Sequence, residues 1–300
     1  MKGSVLYNLS LEGDKFLMGI LAPELAKTSR AGQFVMLRVS ESLDPLLRRP
    51  FSFYSLGKGT TAERLQPENH LQSHTQTVPG ISRGIRTRSP DSVEFLYRVV
   101  GQGTRIMAHM EVGREVDLLG PLGKPFPLPT EPSQIFLIAG GIGIAPLLVL
   151  MEDLQQREPE LFQRCKTTLF FGGRRAADIV GVEDFQSMDI PVHIATEDGS
   201  LGQKGLVTDL LTGRESSGEK NLPRLVYTCG PHAMMAAVAR LCRQWRASGY
   251  ASLECLMGCG FGACLGCVVK SPSSAAEEIP FTYRFVCKEG PTFPLEQVLW

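Results

Sequence analysis

Over roughly the first 130 residues, hydrophobic and polar positions alternate in short runs, at 15–22, 33–39, 51–55, 93–100 and 115–119, with turn-forming residues between them. Alternation of period two predicts strands with one buried face, and their spacing predicts an antiparallel β-barrel or sandwich. Between Gly57 and Asp91 the pattern lapses into a polar segment rich in Pro, Gly, Ser and Thr, which predicts a long surface insertion. The stretch KPFPLPTEP, ending at Pro132, reads as a linker. Beyond it the period changes. Apolar runs at 135–139, 167–171, 191–195 and 224–228 alternate with helical stretches, the clearest at 145–157 and 232–247. Strand–helix–strand alternation predicts a doubly wound parallel sheet. A short apolar run at 250–253 then precedes a cysteine-rich tail. The expected fold is thus multidomain β plus α/β: a barrel over 1–130, a nucleotide-type α/β domain over 131–249 and a small C-terminal domain over 250–300.

Composition narrows the class. Of 300 residues, 43% are hydrophobic and 21% charged, which excludes disorder along the whole chain. Thirty-one basic residues balance 31 acidic ones, so net charge points to neither nucleic acid nor an anionic membrane. The longest uncharged apolar run, at 135–151, approaches the length of a membrane span, but its glycines and Pro146 make strand–turn–helix the better reading. Residues 1–21 lack the continuous apolar stretch of a secretory signal, which implies a cytoplasmic protein with reduced thiols.

The cysteines carry the strongest chemical signal. Five of the eight, Cys255, Cys259, Cys264, Cys267 and Cys287, fall within the last 46 residues. Cys259, Cys264, Cys267 and Cys287 follow C-x4-C-x2-C…C, a spacing used for four thiolates around a [2Fe–2S] cluster. The glycines at 258, 260, 262 and 266 suit a loop that wraps close to a metal centre and offers backbone N–H groups to sulfur. Structural zinc is a second reading of the same thiols, weakened because only one C-x2-C pair occurs. Inert packed thiols are a third. Cys255 is the spare, expected to be packed rather than ligating.

Gly140, Gly141 and Gly143, with Pro146 just beyond, follow an apolar strand and open a helix, where a pyrophosphate could approach bare backbone. The full G-x-G-x-x-G fingerprint is absent, and a tight turn without ligand explains the same residues. The next strand runs into Arg174 and Arg175 with no acid to receive a ribose 2′-hydroxyl, which leaves NADH and NADPH both open. Cys229-Gly230-Pro231 lies at another strand end, where α/β sheets bind ligands; Pro231 equally suits an ordinary helix start. In the N-terminal part, Arg49, Pro50, Phe51 and Ser52 place a guanidinium, an aromatic face and a hydroxyl on one strand, groups that suit a flavin or simply an amphipathic strand. Leu96, Tyr97 and Arg98, followed by Gly103 and Thr104, repeat the idea ahead of a helix at 105–110.

Taken in order, RPFS, LYRVVGQGT, GPLG, AGGIGIAP and CGP resemble the ferredoxin–NADP reductase superfamily. The tail, SLECLMGCGFGACLGC and then VCKEGPTFPLEQVLW, resembles more narrowly the electron-transfer subunits of bacterial NAD-dependent dihydroorotate dehydrogenase. The resemblance spans nearly the whole chain except 57–91. It implies FAD lined by Arg49, Pro50, Phe51, Ser52, Leu96, Tyr97, Arg98, Gly103 and Thr104. It implies NAD framed by Gly140, Gly141, Gly143 and Pro146, with Cys229 as the catalytic-site residue facing the nicotinamide. Cys259, Cys264, Cys267 and Cys287 would ligate the [2Fe–2S] cluster. The implied partner is an FMN-containing catalytic subunit, two copies of each, and the implied role is electron transfer through cluster and FAD to NAD⁺ in pyrimidine biosynthesis. Sibling NAD(P)H–ferredoxin oxidoreductase or sulfide dehydrogenase subunits share these parts. An iron–sulfur scaffold or redox sensor is the non-enzymatic alternative. Two departures stand out: the insertion is long, and the Cys267-to-Cys287 spacing is extended around 271–278.

Overall fold

The computed structural model describes residues 1–57, 91–216, 222–273 and 279–300. The expected insertion, apart from its end residues Gly57 and Asp91, lies outside the described residues, as does most of the loop at 271–278. Contacts divide the chain into two compact units, Met1–Ser29 with Phe34–Leu122, and Arg30–Gln33 with Gly123–Trp300.

The first unit holds β1 (Lys2–Leu11), β2 (Lys15–Leu21), β3 (Phe34–Arg38), β4 (Arg49–Ser52), β5 (Ser55–Leu56), β6 (Ser92–Arg98) and β7 (Glu115–Leu122), with α1 (Pro23–Thr28) and α2 (Gln102–Ala108). The strands order β4-β3-β7-β1-β2-β6-β5, and every pairing is antiparallel. The Phe51 ring on β4 packs against Phe95 and Tyr97 on β6, at 6.2 and 6.0 Å between centroids. The first strand of the order thereby meets the last but one, and the sheet rolls into the expected barrel. Two details differ from the sequence reading. The run at 51–55 is broken at Phe53 and Tyr54 into β4 and β5. Strand β1 was not expected, because Ser4, Asn8 and Ser10 interrupt its apolar positions; it forms because β2 and β7 supply ladder partners on both sides. Gly57 N donates to Ser92 O and Asp91 N to Gly57 O, at 2.8 and 3.2 Å, so the chain departs and re-enters at one point beside β5 and β6.

The second unit comprises β8 (Gln134–Gly140), α3 (Ile144–Arg157), α4 (Pro159–Arg164), β9 (Lys166–Gly173), α5 (Val182–Gln186), β10 (Val192–Thr196), β11 (Gln203–Lys204), α6 (Val207–Ser216), β12 (Leu225–Cys229), α7 (His232–Trp245) and β13 (Ser248–Ser252). Its tail adds β14 (Val268–Pro272), β15 (Phe281–Phe285), α8 (Val286–Glu289) and β16 (Thr292–Pro294). The sheet orders β11-β10-β9-β8-β12-β13-β16, parallel throughout except for β16, which returns antiparallel to β13. The order reverses between β8 and β12. Helix α3 buries every residue from 144 to 154: the apolar run accounts for 144–151 and Leu154, and Glu152 and Asp153 are buried with them. Truncating a core residue such as Leu148 to Ala there would cost roughly 2–5 kcal/mol. No helix among the described residues is long and apolar enough to cross a membrane.

Candidate functional site

Cys267 stands just before β14, and Cys287 lies in α8 just after β15. Val268 pairs with Phe285, so the β14–β15 hairpin delivers the two cysteines side by side, with Cys287 N donating to Cys267 Sγ at 3.4 Å. The extended spacing between them is therefore the length of a hairpin. Cys259 and Cys264 belong to the glycine loop instead, where Ala263 N and Cys264 N donate to Cys259 Sγ at 3.3 and 3.4 Å. Burial works to raise the Cys259 thiol, but N–H donors from Cys264, Phe261 and Ala263 outweigh it and bring it down to about 6. Burial first, then the neighbouring Cys267, push both Cys287 and Cys255 up to about 12. Cys255, half-buried, lies against Cys267. Among the described residues no three Cys, His, Asp or Glu side chains are grouped to hold a single ion. A [2Fe–2S] centre asks instead for two thiolates on each of two irons, and two cysteine pairs with N–H groups aimed at sulfur fit it.

Strands β8 and β12 run side by side with Ala139 opposite Cys229, so the turns that follow them meet at the carboxyl edge of the sheet. They meet glycine to glycine. A Cβ at Gly143 would stand 2.3 Å from Cys229 O, and one at Gly140 would stand 2.6 Å from Pro231 Cδ. Gly141 differs: its φ is +54°, and a Cβ there would have no neighbour within 4 Å. Its backbone thus faces open space where the turn leads into α3, whose first turn holds the buried Pro146. This is the crevice at which such sheets hold dinucleotides, with a pyrophosphate against bare N–H groups. Cys229 is 1% exposed. Burial and then the Glu254 carboxylate raise its thiol well above the usual range, so it stands neutral at the strand end. Glu254 keeps surface exposure, yet the protein packed around its carboxyl raises it too.

In the barrel, β4 is an edge strand, which is why Pro50 can sit there without breaking a ladder. Arg49, Pro50, Phe51 and Ser52 are all half-buried. Arg49 lies over α2: a Cβ at Gly103 would come within 2.9 Å of its Nε, while its Nη1 donates to Leu47 O. Thr104 Oγ1 accepts from Val100 N and Gly101 N, at 2.9 and 3.1 Å, and so closes the start of α2. Leu96 and Tyr97 are in the barrel core. The Tyr97 ring packs between Phe16 and Phe51, and its hydroxyl donates to Asn8 Oδ1 at 3.0 Å. Arg98 is half-buried, and its Nε is buried with no hydrogen-bond partner among the described residues. An orphaned guanidinium N–H and a bare glycine under Arg49 fit an anionic pyrophosphate of the FAD kind.

Comparison with known proteins meets this geometry at both crevice and tail. Residues 137–240 match the family described as oxidoreductase NAD-binding domain, and residues 254–299 match the iron-sulfur cluster binding domain of dihydroorotate dehydrogenase B. Over 285 residues the chain is 35% identical to the dihydroorotate dehydrogenase B (NAD(+)) electron transfer subunit of Desulforamulus reducens, covering 95% of this chain and 92% of that one. The chain belongs to this electron-transfer subunit family. A second member, from Shouchella clausii, is 35% identical over 93% of this chain and 91% of its own. Among solved structures, the NADH-dependent reduced ferredoxin–NADP oxidoreductase matches this family member with a TM-score of 0.75 at 23% identity, covering 99% of this chain and 90% of that one. A ferredoxin–NADP⁺ reductase from Neisseria gonorrhoeae, solved with bound FAD and NADP, matches with a TM-score of 0.60 at 17% identity over 82% of this chain and 91% of that one. At these identities the two structures establish the fold: a ferredoxin–NADP reductase-like barrel and α/β pair.

Sequence reasoning missed one part of this electron-transfer subunit. It sought an acid after β9 and met Arg174 and Arg175. The structure puts Glu197 and Asp198 at the end of the neighbouring strand β10, hydrogen-bonded onto the end of β9. The signal was present as an acid doublet closing the apolar run at 191–195, but only the strand order makes it relevant.

Proposed function

We propose that this subunit passes the two electrons of dihydroorotate oxidation, carried out on a partner catalytic subunit, to NAD⁺ in pyrimidine biosynthesis. Dihydroorotate gives up two electrons and two protons to become orotate; NAD⁺ takes two electrons and one proton, and the other proton goes to water. The observation that carries the reading is that the nucleotide crevice and the cysteine tail grow from one sheet edge. Cys229 pairs with Ser252, and Cys255 follows three residues on. We assign FAD to 1–130, NAD to 131–249 and the cluster to 250–300.

When bound, the cluster supplies one-electron steps and the flavin exchanges them for hydride chemistry. Cys259, Cys264, Cys267 and Cys287 hold the irons. Arg49 and Arg98 neutralise the FAD pyrophosphate, and bare Gly103 leaves room beside Arg49. Phe51 and Ser52 line the flavin, and Leu96 and Tyr97 support that wall from the core. Gly140 and Gly143 let the β8 and β12 turns close on each other, and Gly141 admits the NAD pyrophosphate to the start of α3. Cys229, held neutral, would border the nicotinamide without presenting a charge. Leu256, Phe261, Leu265, Val268, Ile279 and Tyr283, from 39% to 95% exposed, form an apolar rim on the cysteine loop and its hairpin. That rim suits docking of an FMN-bearing catalytic subunit, two copies of each in a cytoplasmic complex.

Co-expression with the catalytic subunit is the test. Dihydroorotate-dependent NAD⁺ reduction is expected in the complex and not in this subunit alone. Robust activity only with ferredoxin or sulfide would assign it to a sibling role. NADH failing to bleach a bound flavin would sink the reductase reading altogether. Cys264→Ser should abolish the paramagnetic signal of the reduced cluster.

A further inference from the structure

We infer that the rim joining the ends of β9 and β10 selects NAD over NADP, with Glu197 and Asp198 repelling a 2′-phosphate while Asp178 holds Arg174 away from it. The inference rests on NAD occupying the β8–β12 crevice and asks what sets the choice of coenzyme there. A dinucleotide whose pyrophosphate lies at the β8–α3 turn carries its adenosine over the end of the adjacent strand β9, where an acid suits a ribose hydroxyl and a free arginine suits a phosphate. Here the two strand ends form one bonded rim. Glu197 N donates to Gly173 O and Asp198 N to Arg174 O, each at 3.1 Å. Ala176 N donates to Ser200 Oγ at 2.7 Å, and Ser200 Oγ donates to Asp198 Oδ1 at 2.6 Å.

The rim carries two arginines, Arg174 and Arg175, and three acids, Asp178, Glu197 and Asp198. One arginine is already engaged. Arg174 Nε lies 3.4 Å from Asp178 Oδ2, and the same oxygen accepts Arg174 N at 3.2 Å. The Asp178 side chain is only 9% exposed, so its carboxylate is a fixed anchor that draws the Arg174 Nε edge toward β9 and away from a free phosphate. Glu197 and Asp198 are exposed and offer carboxylate acceptors to ribose hydroxyls. Hydrogen bonds from Ser200 hold the Asp198 carboxyl below its usual range, and as an exposed carboxylate it is charged at neutral pH in any case.

The test compares NADH and NADPH in bleaching the flavin of the full complex. Glu197→Gln with Asp198→Asn should raise the NADPH-to-NADH ratio of kcat/KM about tenfold, the change lying in KM; high salt should raise the same ratio in the unaltered protein, since exposed charges are screened. Asp178→Asn should raise NADPH use as well, and adding Arg174→Ala should remove that gain, which a merely structural Asp178 would not show. A ratio within twofold of the starting value in both the double variant and Asp178→Asn, each melting normally and retaining flavin, overturns the inference. If Asp178→Asn does not fold, the Glu197→Gln/Asp198→Asn ratio decides alone. Failure of both coenzymes to bleach the unaltered protein would instead overturn the reductase reading.

Discussion

In the barrel, what is offered to a cofactor is side chains: the Arg49 guanidinium over Gly103 and the Nε of Arg98, which has no partner among the described residues. In the α/β unit, what is offered is their absence: Gly140 and Gly143 let two turns close on each other, and Gly141 leaves its backbone open. The same chemical task, seating a pyrophosphate, is thus carried by charge in one unit and by shape in the other. A charge on a strand can be removed while the ladder survives. At Gly143 a missing Cβ cannot be restored without moving backbone. The barrel site should therefore lose ligand before it loses structure, and the α/β site should lose both together.

The sharpest way to break that contrast is Gly143→Ala. Its Cβ would meet Cys229 O at 2.3 Å, a backbone atom that cannot rotate away, so a loss of about 3 kcal/mol in stability is expected together with loss of NADH binding. A variant that melts with the unaltered protein would contradict the close approach. Next comes Arg98→Gln, expected to weaken FAD retention by about 1.5–3 kcal/mol, the value of a charge-assisted hydrogen bond, while the flavin-free protein melts within about 0.5 kcal/mol of the original. Gly141→Ala should cost about 1 kcal/mol, because φ of +54° is unfavourable for alanine, and should weaken NADH without loss of flavin. The smallest effect belongs to Asp117. The Arg48 hydrogen bond and charge hold its carboxyl below the usual range, though burial opposes them. A depressed folded-state pKa contributes stability above the unfolded value of about 3.9 and loses it as pH falls through the folded value. Asp117→Asn should therefore cost up to about 1 kcal/mol at neutral pH and progressively less in acid melts below about pH 4.

How much of this could be read beforehand follows the same division between local and distant causes. The glycine turn after β8 and the Cys259–Cys267 loop are local: spacing alone fixes which residues sit in one turn, and both were legible. The barrel and parallel sheet followed from period two and from strand–helix alternation. Strand β1 was hidden because its pattern is weak and its stability comes from two distant neighbours. The meeting of Cys267 with Cys287 depended on a hairpin whose strands, with Lys270, Thr282 and Arg284 among them, show no clean apolar alternation. Tyr97, expected beside a cofactor from its strand position, lies in the barrel core with its hydroxyl donated to Asn8, a burial that only the packing of β2, β4 and β6 reveals. The acidic rim was invisible for a topological reason: residues 173 and 197 become neighbours only once β10 is known to lie beside β9.

Strand β16 has a thermodynamic consequence for the tail. Ser252 pairs with Thr292 and Ala251 with Phe293, so the chain leaves the sheet and returns to the same rungs. Bringing together the ends of a free loop of roughly 40 residues costs about 3 kcal/mol in chain entropy. The sheet has already supplied that closure. Metal uptake then only has to join short inner arcs, and its free energy goes into sulfur–iron bonds rather than into gathering the chain. Extraction of the iron should accordingly loosen the cysteine loop while the β13–β16 rungs keep their slow amide exchange.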